Sequence, residues 1–80
     1  MKLTDFLQIA KYANENWKGS FTPEEVERNA QIYWADFEWS KENGRPSFII
    51  KELINLLKED GSEKCLEWVN RKEREINGFA

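Results

Sequence analysis

Histidine is absent from the chain, and cysteine occurs once, at Cys65. The first absence removes the commonest general acid/base and the commonest metal ligand at neutral pH. It also excludes the Glu-x-x-His pattern of di-metal helical bundles. The second means that no internal disulfide can close, so a chain of 80 residues must be held by packing or by a partner, and a reducing cytoplasm is the expected compartment. Positive charge is not in excess either: 12 Lys and Arg face 15 Asp and Glu, for a net charge of -3. A broad field that draws in a phosphate backbone is therefore missing, and nucleic-acid binding is disfavoured. No apolar run approaches the ~20 residues that span a bilayer. Near the start, Thr4, Asp5, Gln8 and Lys11 break up the apolar residues before a secretory h-region forms.

Helix breakers are scarce as well, with two prolines and four glycines, and their positions divide the chain. Gly19, Gly44 and Gly61 separate four segments of similar length, and Gly78 closes the last. In the first, Leu3, Phe6, Leu7, Ala10, Ala13 and Trp17 fall on one side at ~100° per residue; Thr4 is the expected N-cap, and Lys18 and Gly19 the expected stop. The second opens with Thr22-Pro23-Glu24-Glu25, a hydroxyl at the N-cap, proline at N1 and a carboxylate at N3. With no Pro or Gly before Gly44 it predicts a helix of ~20 residues, carrying Val26, Ala30, Tyr33 and Phe37 on one stripe with Trp34 beside it. Gly44-Arg45-Pro46-Ser47 reads as a turn in which Arg45 or Ser47 caps the third helix. Ile49, Ile50, Leu53, Ile54, Leu56 and Leu57 then cover a wide arc, which predicts a central helix; Phe48-Ile49-Ile50 is also compatible with a short strand. Ser62 caps the fourth helix, whose inward side is expected to be Cys65, Leu66, Val69 and Ile76, with Trp68 at the margin and Asn77-Gly78 at the stop. No alternating pattern long enough for a sheet is present. With 40% apolar and 34% charged residues, the expectation is an all-α, small single-domain bundle of three to four antiparallel helices over residues 1–80.

Candidate chemistry is sparse. Cys65 lies on an apolar stripe with Leu66 and Val69 a turn away and no base, which describes a packed cysteine rather than a nucleophile. Glu24, Glu25 and Glu27 occupy first turns, where negative charge favours a helix N-terminus. No catalytic, cofactor-binding or metal-binding residue is assigned, and no enzyme is expected. Lys64, Arg71 and Arg74 on the fourth segment are interleaved with Glu67 and Glu75 at i,i+4 spacing, the pattern of a solvated face.

The most informative stretch is Ile32-Tyr33-Trp34-Ala35-Asp36-Phe37-Glu38-Trp39. Its five large apolar side chains cannot share one helix face: Tyr33, Trp34 and Phe37 continue the Val26 and Ala30 stripe, whereas Ile32 and Trp39 point to the other side, one heptad apart. Either they meet a further helix of the bundle or they anchor a partner, since Trp and Tyr are enriched in binding hot spots. Charge sorts with them. Residues 22–44 carry two basic and six acidic side chains, a balance of -4, against +1 for residues 1–21 and zero for each of 45–61 and 62–80. An aromatic patch rimmed by acid suits a basic protein partner or a second copy of the chain. The expected partner-binding residues are Ile32, Asp36, Trp39, Glu38 and Glu42, and the expected function is that of a small cytoplasmic regulator or inhibitor with no cofactor and no membrane contact. The alternatives are a helix-turn-helix DNA-binding regulator, with Arg45 on phosphate, and a small ligand held in an aromatic pocket.

Overall fold

The computed structural model describes residues 2–17 and 19–78. Four helices, α1 (Lys2–Asn16), α2 (Pro23–Asn43), α3 (Phe48–Asp60) and α4 (Glu63–Ile76), make up an all-α fold, with no strand among the described residues. The chain falls into two compact units, residues 1–35 and 36–80, with the division inside α2.

In the first unit, α1 and the opening turns of α2 run antiparallel. Leu3 shares a cleft with Ala30 and Gln31, and Leu7, Lys11 and Asn14 share another with Phe21, Pro23, Val26 and Glu27, so residue numbers fall along one helix as they rise along the other. Phe6, Ile9, Ala10, Val26 and Ala30 are its buried apolar residues. Thr4 lies within α1 and is exposed, two residues past the helix start, so it does not cap that helix. Lys18 is outside the described residues. The reversal is held by one side chain: Asn14 Nδ2 donates to the Phe21 carbonyl at 3.2 Å, and Asn14 Oδ1 accepts from the Phe21 N–H at 3.0 Å. Gly19 permits this, because a Cβ there would stand 2.8 Å from Asn14 Cα. The expected capping box is formed in both directions. Glu25 N–H donates to Thr22 Oγ1 at 3.2 Å and Thr22 N–H to Glu25 Oε1 at 2.9 Å, which satisfies two donors a helix start otherwise leaves open.

In the second unit, α2 ends in a Schellman turn: Gly44 takes φ +68° and the Arg45 N–H donates to the Ser40 carbonyl at 3.2 Å. Ser47 is the N-cap of α3, its Oγ accepting the Ile50 N–H at 3.2 Å, and Phe48-Ile49-Ile50 is helical. Gly61, at φ +71°, closes α3, and Ser62 caps α4 by accepting the Cys65 N–H at 3.3 Å. α3 and α4 are antiparallel, with Lys58 3.5 Å from Glu73 and Ile54 sharing a small cleft with Ile76 and Asn77. Ile50, Leu53, Ile54 and Leu57 of α3 and Cys65, Trp68, Val69 and Ile76 of α4 are buried. Cys65 is fully buried, as a packed cysteine should be.

Two side chains of α3 and α4 expected inside are outside. Leu66, 40% exposed, sits about 100° around α4 from Cys65, beyond the arc that faces α3. Leu56 is likewise exposed, about 120° from Ile50. The middle of the α4 arc belongs to Lys72, which is buried.

Leu53→Ala should lower the free energy of unfolding by about 2–5 kcal/mol in a denaturant titration; a loss under about 0.5 kcal/mol would mean that α3 is not central. Ser40→Ala strips the Ser47 N–H of its acceptor and should cost about 1–3 kcal/mol, more than the ~1 kcal/mol of an ordinary cap deletion at Ser62. Equal costs would show that the turn holds itself without the hydroxyl.

Candidate protein-binding surface

The second unit contains four of the five expected contact residues: Asp36, Glu38, Trp39 and Glu42, all on the last turns of α2. Ile32 belongs to the first unit, where it is 43% exposed. The side chains expected to pack, Val26, Ala30 and Phe37, are buried, Tyr33 is half-buried and Trp34 is exposed.

The face opposite Phe37 carries Trp39, 41% exposed, and its ring is covered by Arg45, whose guanidinium carbon stands 5.6 Å from the ring centroid. Glu42 lies one turn on and is exposed. Glu38 is half-buried and Lys41 Nζ stands 3.2 Å from its Oε2, the carboxylate oxygen withdrawn from solvent. At that exposure the pair contributes little stability, but it fixes which way both side chains lean. Asp36 is engaged inside the turn rather than on the surface. Its Oδ2 accepts a hydrogen bond from Ser47 Oγ at 3.2 Å, so its carboxylate braces the start of α3. Beside it, Ser40 Oγ donates to the Asp36 carbonyl and accepts the Ser47 N–H, both at 2.8 Å. Asn43 Nδ2 donates back to the Trp39 carbonyl at 2.8 Å. Asn43 thus holds the Trp39 carbonyl, and the next residue, Ser40, is fixed to Asp36 and Ser47.

Lys72 is the feature that sequence reasoning passed over. It is 2% exposed. Its Nζ stands 5.2 Å from the centroid of Phe37, 5.5 Å from that of Trp68 and 3.4 Å from Glu75 Oε2. Lys41 approaches the same Phe37 ring at 5.4 Å. Two aromatic faces and a carboxylate offset part of the desolvation of a buried ammonium, whose four-carbon stem packs as an apolar chain. The signal was present in the spacing, because Lys72 follows Cys65 by seven residues and precedes Ile76 by four.

The other chemistry is limited. Among the described residues, no three His, Cys, Asp or Glu side chains gather to hold a metal ion, and no helix is long and apolar enough to cross a membrane. The cleft lined by Leu7, Phe21, Pro23 and Val26, of ≈ 400 Å³, includes one aromatic ring and is rimmed by Lys11, Glu15 and Glu27. Where a recognition helix needs polar side chains, the first turn of α3 presents Phe48, 74% exposed. Comparison with protein-family models, with curated proteins and with solved structures finds no match for this chain.

Replacing Lys72 tests what the cage needs. Lys72→Met keeps the stem and drops the charge, and should leave stability within about 1 kcal/mol of the parent or raise it. Lys72→Ala leaves a void between two rings and should cost about 2–4 kcal/mol. Equal losses in thermal and denaturant unfolding would mean that the charge itself, not the packed stem, holds the rings.

Proposed function

We propose that the chain is a non-enzymatic protein-binding module, a small cytoplasmic regulator or inhibitor that grips a basic partner through the last turns of α2. The observation that carries this reading is Trp39: a large aromatic side chain, 41% exposed, on a helical turn whose Trp39 carbonyl accepts from Asn43 Nδ2 and whose next residue, Ser40, is bonded to Ser47. An anchor residue needs both properties, since a side chain already ordered in the free protein loses little entropy on binding. Glu38 and Glu42 flank Trp39 on α2, and the exposed Glu42 carboxylate would help steer a basic partner toward the ring. Asp36, engaged with Ser47, acts in this reading by placing the turn rather than by meeting the partner.

Trp39→Ala decides between anchor and core. The variant should unfold within about 1 kcal/mol of the parent, since an exposed site loses little beyond its cation–π contact, while partner affinity falls by ~2 kcal/mol or more. A stability loss of ~3–5 kcal/mol would assign Trp39 to the core and remove the reading. In a gel-shift series at several salt concentrations, duplex DNA should not be bound tightly; tight binding with a steep salt slope would favour the helix-turn-helix alternative.

A further inference from the structure

The rings of the second unit sort their cations by burial. Over Phe37, which is fully buried, stand the two lysines Lys41 and Lys72; over Trp39, which is 41% exposed, stands an arginine. The buried contacts are part of the packing and cannot be exchanged. The exposed one can. A guanidinium is planar and weakly hydrated, so it stacks on an indole face with less loss of solvation than an ammonium. Arg45 itself is exposed, and it is delivered to the ring by the turn: Gly44 at φ +68° and the Arg45 N–H on the Ser40 carbonyl set where its side chain begins. Glu42, exposed and one turn from Trp39, offers a carboxylate to any second cation brought to this place.

We propose that the exposed face of Trp39 is a seat for a guanidinium group, that Arg45 fills it in the free protein, and that an arginine-rich basic segment of a partner docks by displacing Arg45. This rests on the protein-binding reading and adds to it the chemistry of the partner and an internal competitor. Arg45 is then an autoinhibitory contact. It lowers affinity by occupying the ring and, separately, by placing a positive charge on the same face as Glu42. The two effects are separable, because only the first depends on Trp39.

The test is a double-mutant cycle read by calorimetry with octa-arginine as the probe, at low salt, on the full chain, with circular dichroism confirming that each variant is folded. Arg45→Gln should bind octa-arginine about two- to fivefold more tightly than the parent. In the Trp39→Ala background the same substitution should gain less than half of that factor. Octa-lysine should show the smaller gain in both backgrounds. If Arg45→Gln gives the same gain with and without Trp39, the effect is charge alone and the seat is refuted while the basic-partner reading stands. If folded parent and Arg45→Gln both bind octa-arginine with unchanged affinity, the seat is again refuted. If neither binds it at all, the basic-partner reading falls and takes the seat with it.

Discussion

Three hydrogen bonds of the second unit meet on Ser40, which has no exposed surface. Its carbonyl closes the Schellman turn by accepting from Arg45, its Oγ accepts the N–H of Ser47, and its proton goes to the Asp36 carbonyl one turn back. Ser47 in turn caps α3 and donates to the Asp36 carboxylate. Each bond alone is worth about 1 kcal/mol. Their joint effect is larger in consequence than in energy, because they fix where α3 starts relative to the end of α2, and the α3 residues Ile50, Leu53, Ile54 and Leu57 are buried as a set that begins three residues after Ser47. A slip of one residue in that turn would rotate all four by about 100°.

The same constraint explains why a lysine is tolerated inside. With α2 ending at a fixed place, Phe37 presents a ring face to Lys72, and Trp68 of α4 presents another. An ammonium between two aromatic faces and a carboxylate is less costly to desolvate than one in an aliphatic core, though a methionine of similar length carries no such cost. Of the three contacts, those to Trp68 and Glu75 stay within α4, and only the one to Phe37 links Lys72 to another helix, α2.

What could be read from the residues alone divides along a physical line. Three of the four helix starts were legible from local signals: Thr22-Pro23-Glu24-Glu25, Ser47 as one of two candidates beside Arg45, and Ser62; Thr4, the fourth, lies inside α1 rather than at its cap. The apolar stripes were legible too, apart from Trp34, Leu56 and Leu66, which an average hydrophobic arc includes and the actual packing angle leaves out. The residues that escaped are polar ones with interior roles. Ser40 and Lys72 stand at stripe positions by spacing, but a rule that sends serine and lysine to solvent cannot see that a turn needs an acceptor or that two rings await a cation. At the candidate site, the exposure of Trp39 was open at the sequence level, because heptad spacing places it opposite Phe37 without saying whether another helix lies there. Helix spacing puts Asp36 between Ile32 and Trp39 on the adjoining surface of α2; its bond to Ser47 depends on a turn geometry that no spacing encodes.

Rigidity and exchange meet at Trp39. Below the ring, the Asn43 amide and the Ser40 bonds hold the backbone. Above it stands a guanidinium at 5.6 Å on an exposed side chain, an interaction of about 0.5–1 kcal/mol that solvent already weakens. Firm mounting with a weak, chemically specific cover is what lets a binding site be ordered before its partner arrives without resisting it, since a partner gains the full stacking face for the loss of one weak contact. If a basic partner docks here as proposed, the carboxylates of α2 would act at longer range than the ring, raising the encounter rate, while the indole would set how long the encounter lasts. On the proposed reading, charge would select the class of partner and the ring face would select arginine within it.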